Sequence, residues 1–121
     1  MLMLELDEAD GIAILEPNGE LSESDFISVA KIIDQHIEHV GQLHGIIIHV
    51  KYFPGWDSFS ALTAHLKFVR DHHKKVSRVA FVTDSTLGNL AGNIASHFVH
   101  AEIKRFTYNE LATAKAWIVE R

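Results

Sequence analysis

Two short apolar runs, separated by segments with helical spacing, constrain the fold of this chain most strongly. The runs extend from Gly45 to Lys51 and from Val79 to Asp84, and both are almost continuously apolar. Such runs are typical of strands buried on both faces of a sheet that helices cover. We therefore predict an α/β fold in which both runs are central strands.

Three further strands complete the predicted sheet. Leu2 to Leu6 and Ile12 to Glu16 flank the turn residues of Asp7 to Gly11, which predicts a hairpin and therefore a mixed sheet. Glu102 to Phe106 is a fifth strand, and its charged side chains favour an edge position. The predicted element order is ββαβαβαβα, a mixed five-stranded sheet flanked by about four helices.

The first and last predicted helices have recognisable ends. Ser22 can cap the first helix, which ends near Gly41, and Thr107 with Glu110 has the spacing of a capping box for the last. If the crossovers between parallel strands alternate in direction, helices should cover both faces of the sheet. The apolar face of the first helix comprises Phe26, Val29, Ala30, Ile33, Ile37 and Val40.

Length and composition predict one cytoplasmic domain over residues 1–121. The chain has no cysteine, which excludes disulfides, zinc–thiolate sites and cysteine nucleophiles and fits a reducing compartment. Its formal net charge of −5, from 16 acidic and 11 basic side chains, argues against a nucleic-acid partner. No apolar run approaches the roughly 18 residues of a membrane span, and we find no basic leader.

Nine histidines raise the question of a metal site. His36 with His39 and His97 with His100 could share a helical turn, but neither pair has an obvious third ligand, so we expect solvated histidines and no metal. His49 lies within a strand pattern, and we expect it to be partly buried and hydrogen bonded. Because the chain also lacks a nucleophile elbow and a glycine-rich phosphate loop, we predict neither a cofactor nor an enzymatic activity.

The second and third predicted helices have unusually uncharged surfaces. The second begins at Asp57 or Ser58, and Phe68 lies on a weakly polar face opposite its core stripe. The third extends from Thr86 through Phe98, in a region without any charged side chain. Two glycines in its interior cost about 1 kcal/mol each relative to alanine. A mobile lid and a helix packed against a neighbour or a second subunit both fit this pattern.

An aromatic connection precedes the second helix. Residues Tyr52 to Phe59 contain Phe53, Pro54-Gly55 and Trp56, directly after a central strand. Ligand crevices of open α/β sheets lie at the carboxyl ends of the strands. This connection and the third helix could therefore enclose an apolar pocket.

Four ordered motifs carry a resemblance to a known family: Gly55 to Ser58, Arg78 to Asp84, His100 to Phe106 and Ala114 to Ile118. Over nearly its whole length the chain resembles SpoIIAA-like proteins of the STAS superfamily, which implies a mixed five-stranded sheet with about four helices. In the anti-sigma factor antagonists of that superfamily, a partner kinase phosphorylates a serine at the position that Ser58 occupies. SpoIIAA-like proteins are also similar in fold to CRAL-TRIO lipid-binding domains, whose mobile helices cover an apolar ligand.

Two main functional hypotheses follow. The first is a non-enzymatic domain that binds a small apolar or lipid-like ligand, with peripheral association at a membrane surface through its uncharged helices. The alternative is a protein-interaction switch, similar to an anti-sigma factor antagonist, that is phosphorylated at Ser58. A homodimer through the uncharged surfaces would hide the same residues. The predicted ligand-binding residues are Phe53, Trp56, Phe68, Leu87, Leu90, Ile94 and Phe98.

Overall fold

The computed structural model of the protein describes residues 2–17, 23–40, 43–52, 76–84 and 102–120. Within these ranges the chain forms five strands and two helices. In chain order they are β1 (Leu2–Asp7), β2 (Ile12–Pro17), α1 (Glu23–Val40), β3 (Leu43–His49), β4 (Val76–Val82), β5 (Glu102–Phe106) and α2 (Leu111–Val119).

The five strands form one mixed sheet in the spatial order β1-β2-β3-β4-β5. β1 pairs with β2 antiparallel, and the remaining neighbours are parallel. The predicted hairpin, mixed sheet and edge position of β5 are therefore confirmed. Because the spatial order of the parallel strands follows the chain order, successive crossovers move in one direction along the sheet and do not alternate.

The hairpin between β1 and β2 turns at Gly11, whose φ of 67° lies in the left-handed region that favours glycine. The N–H of Gly11 donates to the carbonyl of Asp7 at 2.8 Å, and the N–H of Asp10 donates to the Asp7 carboxylate at 3.2 Å. The carbonyl of Gly11 accepts from the N–H of His44 at 2.8 Å. These bonds tie the turn to the start of β3.

Both central strands are buried as predicted, since Ile46 to Ile48 and Val79 to Val82 have no exposed surface. One face of the sheet packs against α2 in a cluster of Ile12, Ile14, Ile47, Ala80, Val82, Phe106, Ala114 and Ile118. Gly45 lies on this face directly under Ile118. α1 buries Val29, Ile33 and Ile37 and packs against β1 and β3.

The observed ends of the two described helices can be compared with the predicted caps. α1 begins at Glu23 and ends at Val40, next to the predicted cap Ser22 and the predicted stop at Gly41. The prediction for α2 needs a correction, because this helix begins at Leu111 and not after Thr107. The Glu110 carboxylate does accept from the N–H of Thr107 at 2.9 Å, as in a capping box. However, the Thr107 hydroxyl donates to the same carboxylate at 2.8 Å, so the two residues form a turn before the helix.

The C-terminal end of α2 is held by Arg78 of β4. Its Nη1 donates to the carbonyl of Trp117 in the last turn, which also accepts from the N–H of Glu120, and to the carbonyl of Glu120, the residue that follows the helix. The guanidinium also lies 5.0 Å from the centre of the Trp117 ring. The predicted second and third helices lie outside the described residues, so the expected total of about four helices stays a prediction.

Candidate functional site

The carboxyl ends of the parallel strands bring four polar side chains to one edge of the sheet. Glu16 lies near the end of β2, His49 ends β3, Asp84 follows β4 and Tyr108 follows β5. This is the edge at which open α/β sheets bind ligands and partners. We refer to these four residues as the carboxyl-edge cluster.

His49 is half-buried, with 14% of its side chain exposed, against 43% for Glu16. Its Nε2 lies 3.3 Å from the carbonyl oxygen of Tyr108, and because a carbonyl only accepts, Nε2 is the donor. Its Nδ1 lies 3.6 Å from Oε1 of Glu16. The imidazole also stacks on the Tyr108 ring, with centres 4.4 Å apart and an interplanar angle of 12°. The prediction that His49 is partly buried and hydrogen bonded is confirmed.

Backbone hydrogen bonds join the ends of β3, β4 and β5. The carbonyl of Lys51 accepts from the N–H of Asp84 at 3.0 Å and from the Thr83 hydroxyl at 3.1 Å. The Asp84 carboxylate accepts from the N–H of Tyr108 at 3.0 Å. The edge is therefore an interlocked platform, from which Tyr52 projects with 63% of its surface exposed.

Two segments with predicted functional residues start at this platform. One follows Tyr52 and the other follows Asp84, and the hydrogen bond between Lys51 and Asp84 places these two starting points side by side. All of the predicted ligand-binding and phosphorylation residues lie on these segments, outside the described residues: Phe53, Trp56, Ser58, Phe68, Leu87, Leu90, Ile94 and Phe98. Both the apolar site and the phosphorylation site therefore stay predictions.

Three members of the cluster were not predicted from the sequence as parts of a site: Glu16, Asp84 and Tyr108. A usable signal was present, because each of them lies within two residues of the end of a strand that is parallel to its neighbour. Parallel strands end at the same edge, so polar residues that follow them converge in space. The stacking of His49 on Tyr108 has no comparable signal in the sequence.

The described histidines do not form a metal centre. The expectation of solvated histidines is confirmed for His39, which is exposed, and is wrong for His36, which packs on the inner side of α1. The Nε2 of His36 is buried without a hydrogen-bond partner among the described residues. No group of three or more His, Cys, Asp or Glu side chains in the described ranges is placed to hold a metal ion. The His97 and His100 pair lies outside these ranges.

Comparisons with known proteins identify the family. The SpoIIAA-like family model matches residues 12–119, from the first residue of β2 to the last residue of α2. No curated protein and no solved structure matches the chain, and the likeness to CRAL-TRIO domains is therefore not confirmed. Neither of the two described helices is long and apolar enough to cross a membrane. On the evidence of the family match, the chain belongs to the SpoIIAA-like family.

Proposed function

We propose that this protein is a non-enzymatic protein-interaction domain whose binding to a partner protein is switched by phosphorylation at Ser58, as in an anti-sigma factor antagonist. The observation that carries the proposal is the family match over residues 12–119, which includes Ser58. The same match favours this switch over the apolar-ligand hypothesis. Binding of a lipid-like ligand, with peripheral membrane association, stays a prediction.

The carboxyl edge of the sheet supports the proposal because the segment that contains Ser58 starts there. That segment follows Tyr52, and the preceding residue, Lys51, accepts two hydrogen bonds at its carbonyl. Binding residues on loops act best when a rigid scaffold positions the ends of the loop. Ser58 lies six positions after Tyr52, which is the last described residue after β3.

The charge of a phosphoryl group gives the switch its physical basis. Phosphorylation replaces a neutral hydroxyl with a group of charge near −2 and three strong acceptor oxygens. A partner surface that packs on the unmodified serine would have to desolvate that charge on a chain whose net charge is already −5. We therefore expect phosphorylation to release the partner.

The first test is the covalent state of Ser58. The protein is purified from its native host with phosphatase inhibitors, and its intact mass is compared before and after phosphatase treatment. We expect a phosphoryl mass that phosphatase removes and that peptide mapping assigns to Ser58. Peptide mapping that finds Ser58 unmodified under all growth conditions would contradict the proposal.

The second test is partner binding with matched variants. Wild type, Ser58→Ala and Ser58→Asp are used as baits, and Ser60→Asp serves as a control with the same charge change two residues away. We expect a protein that binds wild type and Ser58→Ala, is lost with Ser58→Asp and is retained with Ser60→Asp. Equal recovery with all four baits, or equal loss with both aspartate variants, would refute a switch located at Ser58.

A further inference from the structure

The two edges of the sheet carry opposite charges. Among the described residues, β1 pairs with β2 alone and β5 pairs with β4 alone, so each has one open side. Glu5 of β1 is exposed, as are Glu8 and Asp10 in the adjoining turn. On β5, Lys104 and Arg105 are exposed, and the exposed Glu102 lies beside the guanidinium of Arg78. The β1 edge is therefore acidic, and the β5 edge is basic at Lys104 and Arg105.

The strand register connects these charges across the sheet. Glu5 faces Ile14, Ile14 faces Ile47, Ile47 faces Ala80, and Ala80 faces Lys104. Glu5 and Lys104 are thus the two ends of one row of residues. A second copy that continues the sheet, rotated to follow the sheet twist, would place its Lys104 directly opposite Glu5 of the first.

The next row along the sheet has apolar ends. It leads from Leu6 through Ala13, Ile46 and Val79 to Ile103. Leu6 and Ile103 are only half-buried, whereas the three residues between them have no exposed surface. The same placement that brings Glu5 to Lys104 brings Leu6 to Ile103 and would bury the remaining apolar surface of both.

Charge disfavours the symmetric pairings that are centred on Glu5 or on Lys104. β1 is antiparallel to β2 and β5 is parallel to it, so β1 of one copy meets β5 of a copy that continues the sheet in antiparallel orientation. Pairing two β1 edges about Glu5 would oppose two carboxylates, and pairing two β5 edges about Lys104 would oppose two ammonium groups. Like charges directly opposite each other destabilise a strand pair.

We propose that the β1 edge of one copy pairs with the β5 edge of a second copy, with Glu5 opposite Lys104, so that the sheet continues from copy to copy. The register contains one like-charged pair, Asp7 with Glu102, but Nε of Arg78 lies 3.4 Å from the Glu102 carboxylate and offsets its charge. A seam of one strand pair buries less area than a stable interface needs, so the association is weak. Because the two surfaces differ, it forms open chains or rings of more than two copies, and not closed dimers.

Sedimentation velocity over a concentration series tests this proposal. We expect the weight-average sedimentation coefficient to rise with protein concentration without a plateau at two copies, and to rise less at high salt. Glu5→Lys and Lys104→Glu should each weaken association about tenfold, because each replaces an attractive cross-strand pair with a repulsive one. Glu38→Lys and Lys31→Glu, both on exposed positions of α1, are controls with the same charge changes and should associate like wild type.

Mixing the two charge variants tests the proposed pairing directly. Each variant alone, Glu5→Lys or Lys104→Glu, should remain largely monomeric, because positions 5 and 104 then carry the same charge. A mixture of the two should associate. Where the two variants alternate, a lysine of one faces a glutamate of the other. Circular dichroism confirms that each variant is folded. A monomeric wild type at all concentrations, a closed dimer, or association that Lys104→Glu leaves unchanged would each overturn the proposal.

Discussion

Replacing Gly45 with alanine tests how closely α2 approaches the sheet. A Cβ built on Gly45 would lie 2.5 Å from Cγ2 of Ile118, 2.9 Å from its Cδ1 and 2.9 Å from the carbonyl oxygen of Arg78. Carbon atoms at van der Waals contact are about 3.5–4.0 Å apart, so the added methyl overlaps both the helix and the neighbouring strand. Overpacking of a core usually costs about 1–3 kcal/mol. We expect Gly45→Ala to cost about 3 kcal/mol, because one of the overlapping atoms belongs to the backbone of β4.

Urea unfolding of a double-mutant cycle measures this contact. Ile118→Ala alone should cost about 2–5 kcal/mol, because Ile118 is buried and its removal leaves a cavity. In the double variant, the methyl added at position 45 meets no isoleucine, so its additional cost should fall to about 1 kcal/mol, the part caused by the Arg78 carbonyl. Additive losses in the double variant, or a Gly45→Ala protein within about 0.5 kcal/mol of wild type, would refute the close approach of α2 to β3.

Three further substitutions test single contacts. The N–H and hydroxyl of Thr107 donate to the Glu110 carboxylate and, with Lys104, lower the pKa of Glu110. At pH values above the ordinary pKa of glutamate, the charged carboxylate therefore stabilises the fold. Glu110→Gln should be less stable than wild type at pH 7. The difference in the free energy of unfolding should shrink as the pH falls, because the wild-type carboxylate is then protonated. His36→Leu should raise the free energy of unfolding by about 1 kcal/mol, because Nε2 is buried without a partner among the described residues, and a loss of stability would contradict this. Arg78→Lys should cost about 1 kcal/mol in urea unfolding, since an ammonium group cannot reproduce the guanidinium contacts with α2, and equal stability would exclude that role.

The sheet could be predicted from the sequence because its strands differ sharply in environment. The central parts of β3 and β4, Ile46 to Ile48 and Val79 to Val82, are buried on both faces and are therefore continuously apolar, whereas β5 at the edge carries exposed charges. α1 was predictable for a similar reason, since its buried positions recur with helical spacing. In each case the burial of a strand or helix determines which of its own residues are apolar, so a local pattern is enough to predict it.

The start of α2 was not predictable in this way. A threonine three residues before a glutamate has the spacing of a capping box, but the same spacing fits the turn that Thr107 and Glu110 form. A long-range contact distinguishes the two, because the N–H of Tyr108 donates to the Asp84 carboxylate, 24 residues earlier in the chain. The contact between His49 and Tyr108 spans 59 residues and was equally invisible to local patterns.

These long-range contacts also connect the two segments that leave the carboxyl edge. The Lys51 carbonyl accepts from Asp84, and the Asp84 carboxylate accepts from Tyr108, which stacks on His49. A displacement at the end of β3 would therefore strain hydrogen bonds at the ends of both β4 and β5. Coupling between sites requires a physical connection of this kind, in which one arrangement of the contacts excludes another. In the proposed switch, a charge is added at Ser58, on the segment that follows Tyr52. Lys51, just before that segment, is hydrogen bonded to Asp84, just before the second segment. A change in the first segment can therefore affect how the second meets a partner.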